Sequence, residues 1–116
     1  MIDVTELRIF VCTTPTNMSA SFDTLMGRAR EIFDHDPTSG HLFLFFNRRR
    51  DRIKILFWDR DGFCIWYKRL EVGTFPVLTT TNDPEGIEIE YWQLVQLLEG
   101  LDLNTGRRRR RYRRSG

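Results

Sequence analysis

The chain has 116 residues, 41% of them apolar and 13% aromatic, and its 18 basic against 16 acidic side chains leave a formal net charge of +2. That size suits one domain with a single core, and the absence of any apolar run longer than five residues excludes a membrane-spanning helix. The near neutrality averages two opposites, because seven arginines (Arg107, Arg108, Arg109, Arg110, Arg111, Arg113 and Arg114) fall in the last ten positions. Residues 1–106 hold 11 basic and 16 acidic groups. The expected division is one α+β domain over residues 1–104 and a basic, disordered tail over residues 105–116, where apolar content is too low to drive ordering.

The first six residues carry Asp3 and Glu6 where a secretory signal carries Lys or Arg before a long apolar stretch, so the expected location is the cytoplasm. Cys12 and Cys64 each lie in an apolar, strand-like run, a setting that suits reduced core thiols better than a disulfide.

Residues 8–12 are β-branched and aromatic and predict a strand. Past a turn at residues 13–17, Phe22, Leu25, Met26, Ala29, Ile32 and Phe33 recur at the spacing of one helix face, with Ser19 as the expected N-cap and an end near Asp34. Asp36-Pro37-Thr38-Ser39-Gly40 predicts a tight loop. Three strands follow at residues 41–46, 53–58 and 63–70, joined by connections short enough for antiparallel hairpins. Eight of the 15 aromatic residues fall in this meander and occupy both alternation sets: Ile53, Ile55 and Phe57 share one face, Leu56 and Trp58 the other, with Lys54. A sheet apolar on both faces needs two covers. Residues 73–79 read as a short edge strand limited by Pro76, and residues 80–86 as loop. Leu94, Leu97, Leu98 and Leu101 predict a second amphipathic helix, with Gly100 suited to its C-terminal cap. The expected fold is a small antiparallel meander flanked by two amphipathic helices.

Catalytic apparatus is sparse. His35 and His41 flank a turn without a metal-ligand set. Asp59-Arg60-Asp61-Gly62 opens like a calcium loop, but Phe63 then offers no side-chain oxygen, and a hairpin turn is the simpler reading. No phosphate-cradling glycine loop or nucleophile elbow is present, so neither an enzyme nor a cofactor is expected.

Basic patterning is the stronger signal. Residues 48–69 hold Arg48, Arg49, Arg50, Arg52, Lys54, Arg60, Lys68 and Arg69 against three aspartates, a positive island in an acidic body. Such asymmetry suits a phosphate-binding surface; a solvated hairpin whose arginines pair with acids elsewhere in the fold is the alternative. The tail arginines match phosphate oxygens bidentately. Without an apolar face beside them they favour nucleic acid over membrane, and Tyr112 can stack on a base. A solubilising or protein-docking tail stays open beside that reading.

Four segments carry a family resemblance: Asp36-Pro37-Thr38-Ser39-Gly40-His41-Leu42-Phe43; Asn47-Arg48-Arg49-Arg50-Asp51-Arg52-Ile53-Lys54-Ile55-Leu56-Phe57-Trp58-Asp59; Gly62-Phe63-Cys64-Ile65-Trp66-Tyr67-Lys68-Arg69-Leu70-Glu71; and Leu97-Leu98-Glu99-Gly100. In this order and spacing the chain resembles the TnpB (Orf-two-like) accessory proteins of the insertion-sequence sixty-six family of bacterial transposable elements, from about Arg8 to Leu103. The resemblance implies a small protein encoded beside a transposase and taking part in transposition. One departure stands out. Where the family usually reads Asp-Met-Arg-Lys-Gly-Phe-Asp-Gly-Leu, this chain has Asn17-Met18-Ser19-Ala20-Ser21-Phe22-Asp23-Thr24-Leu25, and both basic residues are lost.

The leading expectation is a non-enzymatic factor that positions DNA, either element ends or nonspecific sequence, near the transposase of the same element. Arg48, Arg49, Arg50, Arg52, Lys54, Lys68 and Arg69 would contact phosphates, and the tail arginines would add affinity. The alternative is a protein adaptor that docks on the transposase through Trp58 and Trp66. The sequence does not indicate an oligomeric state.

Overall fold

A computed structural model of the chain describes residues 7–78 and 85–99. The arginine tail, Gly100, Leu101, the N-terminal six residues and residues 79–84 lie outside the described residues. The elements in chain order are β1 (Ile9–Cys12), α1 (Phe22–Phe33), a 3-10 turn (Pro37–Ser39), β2 (Leu42–Phe46), β3 (Arg52–Asp59), β4 (Gly62–Arg69), β5 (Gly86–Ile89) and α2 (Tyr91–Glu99).

The strands form one sheet in the order β4-β3-β2-β1-β5. β2, β3 and β4 make the expected antiparallel meander, with Phe43 opposite Leu56 and Asp59 opposite Gly62. β1 departs from it by pairing parallel to β2, with α1 as the crossover between them. The fold is therefore α+β with a mostly antiparallel sheet.

Period-two alternation sends the two aromatic sets into two separate cores. On one face Ile9, Val11, Leu44, Phe46, Ile53, Ile55 and Ile89 meet Leu94 and Leu97 of α2 together with Phe75. On the other, Phe10, Cys12, Phe43, Phe45 and Leu56 meet Leu25 and Ala29 of α1. Two helices and the segment after β4 thus supply the two covers that the two-sided pattern requires. Cys12 and Cys64 are free thiols, the first buried and the second half-buried.

Three local expectations change. The helix N-cap is Ser21, not Ser19, because Asn17 first closes a turn of its own, accepting from the Ser19 N–H on Oδ1 and from the Ala20 N–H on its carbonyl. Residues 73–78 form no strand. Pro76 has no N–H to give a ladder, and Phe75 instead plugs its ring into the α2-side core, 5.6 Å from the Phe46 ring centroid. The fifth strand lies later, at Gly86–Ile89, antiparallel to β1. Arg8 and Glu88 fasten this end of the sheet through Nη2–Oε1 and Nε–Oε2 contacts of 2.6 and 3.0 Å.

β5 also fixes how close α1 can lie. A Cβ on Gly86 would sit 2.7 Å from Ile32 Cγ2 and press on the Phe33 ring. Gly86→Ala is expected to cost about 1–3 kcal/mol as overpacking, read as a lower urea midpoint.

Candidate nucleic-acid interface

The β2–β3 connection is a rigid, polar loop. The Asn47 Oδ1 accepts from the Arg52 N–H at 3.0 Å, its Nδ2 donates to Asp51 Oδ1 at 2.6 Å, and its carbonyl accepts from the Arg50 N–H. The amide bond from Asn47 holds the Asp51 carboxyl below the usual carboxylate range. Arg50 adopts a left-handed backbone, φ 59°, which turns its side chain inward.

Two of the residues expected to meet phosphates serve the fold instead. Arg50 donates from Nε to the Phe75 carbonyl and from Nη2 to the Pro76 carbonyl, with its guanidinium 4.3 Å over the Phe46 ring. Burial lowers its pKa from the ordinary arginine value. Lys54 is 8% exposed. Its ammonium donates to the Met18 carbonyl at 2.7 Å and the Ala20 carbonyl at 2.8 Å and lies 4.8 Å from the Tyr67 ring centroid. These two cations strap the segments before α1 and after β4 to the hairpin.

What the straps build is a groove of about 480 Å³ between the 15–18 segment and the hairpin loop, lined by Pro15, Thr16, Asn17, Met18, Asn47, Arg48, Arg49 and Arg52. Among the described residues three that bear guanidinium groups, and no acid, line it. The Thr16 N–H donates to the Phe46 carbonyl and pins the far wall. Thr16 is 4% exposed, and its Oγ1 has no hydrogen-bond partner among the described residues.

Arg48 and Arg49 are exposed. Arg52 donates from Nη1 to the Tyr67 hydroxyl at 3.2 Å. Across the ladder Arg52 stands directly opposite Arg69, an arrangement of like charges that disfavours the pair unless an anion is near. Arg69 is exposed and bonded to Glu71 at 2.8 Å. Lys68 is exposed and pairs with Ile53, which places it on the opposite face of the sheet. The groove therefore gathers Arg48, Arg49 and Arg52, with Arg69 beside Arg52, and leaves Arg50, Lys54 and Lys68 out.

Trp58 is half-buried, edge-on to Phe63 at 5.0 Å, whereas Trp66 is 42% exposed. The two histidines are packing groups: His41 accepts from the Arg8 N–H on Nδ1, and both imidazoles lie against the Phe10 ring. Burial, and the Arg8 charge after it, lower the His41 pKa. Asp59 and Gly62 close a two-residue hairpin turn, as the rejected calcium motif implied.

Sequence reasoning missed the wall formed by Thr16, Asn17 and Met18, which lies some thirty positions upstream of the hairpin. Its local signals were turn chemistry and the departure from the family pattern that starts at Asn17, neither of which places it beside the hairpin.

The structure is thus an α+β fold with a helix on each face of its sheet and a basic groove at one end, and no group of residues that could hold a metal ion occurs among the described residues. The chain matches the family described as "IS66 Orf2 like protein" over residues 7–108 and belongs to that family, an accessory family of insertion-sequence transposition. It is similar to uncharacterized protein y4hO of Sinorhizobium fredii, 32% identical over 97 residues that span 84% of this chain and 83% of that one. It is also similar to uncharacterized protein y4jC of the same organism, 33% identical over 69 residues that span 60% and 59%. No solved structure matches it. No helix among the described residues is long and apolar enough to cross a membrane.

Proposed function

We propose that the protein assists transposition without catalysis by binding DNA phosphates in the groove between Thr16–Met18 and the β2–β3 loop, close to the transposase of its element. The observation that carries this reading is the convergence of Arg48, Arg49 and Arg52 on one groove, with no acid among its described lining residues. The Asp51 carboxyl lies near Arg49 and Arg52 but is engaged by the Asn47 amide, and arginine forks without a direct carboxylate bond are available to phosphate oxygens. The tail arginines add sequence-independent affinity.

The departure from the family pattern lies next to this groove, at Ser19 and Ala20. Ser19 is exposed and follows Met18, a wall residue. Ser19→Arg restores a cation at the far wall and is expected to strengthen DNA binding, steepening the log-log salt slope by about 0.9. Deleting residues 107–116 is expected to flatten that slope while leaving groove-dependent binding. DNA binding that is independent of salt in the full chain would refute the electrostatic reading.

A second reading, an adaptor that docks on the transposase, draws on one specific observation. Tyr91, Trp92 and Val95 of α2 are exposed at 61%, 58% and 40%, and aromatic anchors of this kind dominate protein interfaces. Co-purification with the transposase that survives nuclease treatment, with no DNA binding by the isolated protein, would favour it.

A further inference from the structure

β4 is an eight-residue strand at the edge of the sheet, and the charges that could blunt that edge, Lys68 and Arg69, are confined to its C-terminal end. It contains no proline, and its two central aromatics, Trp66 and Tyr67, are 42% and 47% exposed. A long edge with exposed large side chains is a template for another strand.

The backbone phase of that edge follows from the hairpin. The two-residue turn makes Asp59 and Gly62 the terminal hydrogen-bonded pair, and the Leu70 N–H donates to the Asp51 carbonyl at the far end. Gly62, Cys64, Trp66 and Lys68 thus turn their backbone groups to β3. Phe63, Ile65, Tyr67 and Arg69 turn theirs outward. Phe63 and Ile65 also pack on the α1-side core, so all four side chains lie on one face of the sheet.

We infer that β4 pairs antiparallel with β4 of a second copy of this chain, about a two-fold axis through Ile65, joining two five-stranded sheets into one. In that register Ile65 meets Ile65 of the second copy, Phe63 meets Tyr67, and Asp61 meets Arg69, each hetero pair occurring twice. Residues directly opposite share a face, as a two-fold axis normal to the sheet requires. The charges select this register. Sliding by one step toward Trp66 sets Asp61 against Glu71, a repulsive pair. Sliding toward Cys64 shortens the overlap and removes Asp61 from Arg69. Among the described residues Asp61 forms no ion pair, and the Arg69–Glu71 contact is exposed on both sides at 58% and 50%. Both residues are thus placed to engage a second copy. This inference does not depend on DNA binding.

The test is sedimentation equilibrium of the full chain in the absence of nucleic acid. The wild type is expected to be a dimer. Asp61→Arg and Arg69→Asp, each of which sets like charges together twice per dimer, should each weaken dimerisation at least about tenfold. The double variant Asp61→Arg/Arg69→Asp should restore it. In a Cys64→Ser background, Ile65→Cys should form an intermolecular disulfide on mild oxidation, since a hydrogen-bonded antiparallel pair sets the Cα atoms about 5.5 Å apart. A chain that stays monomeric at its highest soluble concentration and gives no cross-link would overturn the inference. So would a dimer that ignores both charge reversals, or single-variant losses that the double variant does not repair.

Discussion

Replacing Lys54 with Met is expected to destabilise the protein by about 3 kcal/mol. Methionine keeps the length and apolar stem of the side chain, so the loss isolates the ammonium. That group gives charge-assisted hydrogen bonds to the Met18 and Ala20 carbonyls from an environment only 8% exposed. Bonds to charged groups contribute about 1.5–3 kcal/mol each, and the two act on one short segment, so their losses are not fully additive. Urea denaturation should show a lower midpoint with an unchanged slope. Lys68→Met, at an exposed site on the next strand, should stay within about 0.5 kcal/mol of the wild type. Because Met18 forms the far wall of the groove, the Lys54 variant should also lose DNA affinity, an indirect loss that follows from a displaced wall. Equal stabilities for the Lys54 and Lys68 variants would remove the strap from the account.

The second large effect is on binding alone. Arg48→Gln, Arg49→Gln and Arg52→Gln combined remove the cations that line the groove. Among the described residues none of the three bonds a carboxylate: the Arg52 side chain donates to the Tyr67 hydroxyl, and Arg48 and Arg49 are solvent-facing. The melting temperature should hardly move. Affinity for DNA should fall by up to about 500-fold at 0.1 M salt if each side chain neutralises one phosphate. Arg50→Gln gives the opposite profile. It breaks the contacts to the Phe75 and Pro76 carbonyls and should lower stability first, because those carbonyls lose their donor. The contrast between adjacent arginines separates a phosphate-facing role from a structural one.

The same residues show what a sequence can and cannot convey. The aromatic residues in both alternation sets of the meander required a cover on each face, and α1 and α2 provide them. Lys54 was readable in part: it shares the alternation set of Leu56, a core residue, which hinted at burial. Its partners were not readable, since they are backbone carbonyls over thirty positions away, and a carbonyl leaves no mark in residue identity. Charge counting therefore treated Lys54 and Arg50 like Arg48 and Arg49. β5 was missed for a related reason. Ile87 and Ile89 alternate as a strand should, but a four-residue strand exists only because β1 offers it an edge. The parallel seating of β1 beside β2 likewise depends on where α1 packs, a tertiary outcome that local propensity does not specify.

The central claim, that the groove arginines meet DNA phosphates, is tested most directly by the salt dependence of DNA binding. The slope of log affinity against log salt should be measured for the full chain and for the Arg48→Gln/Arg49→Gln/Arg52→Gln variant on the same duplex. The account predicts a slope shallower by about 2.7 in the variant, at about 0.9 for each phosphate that is no longer neutralised, with melting temperature unchanged. Identical slopes for two equally folded proteins would contradict it.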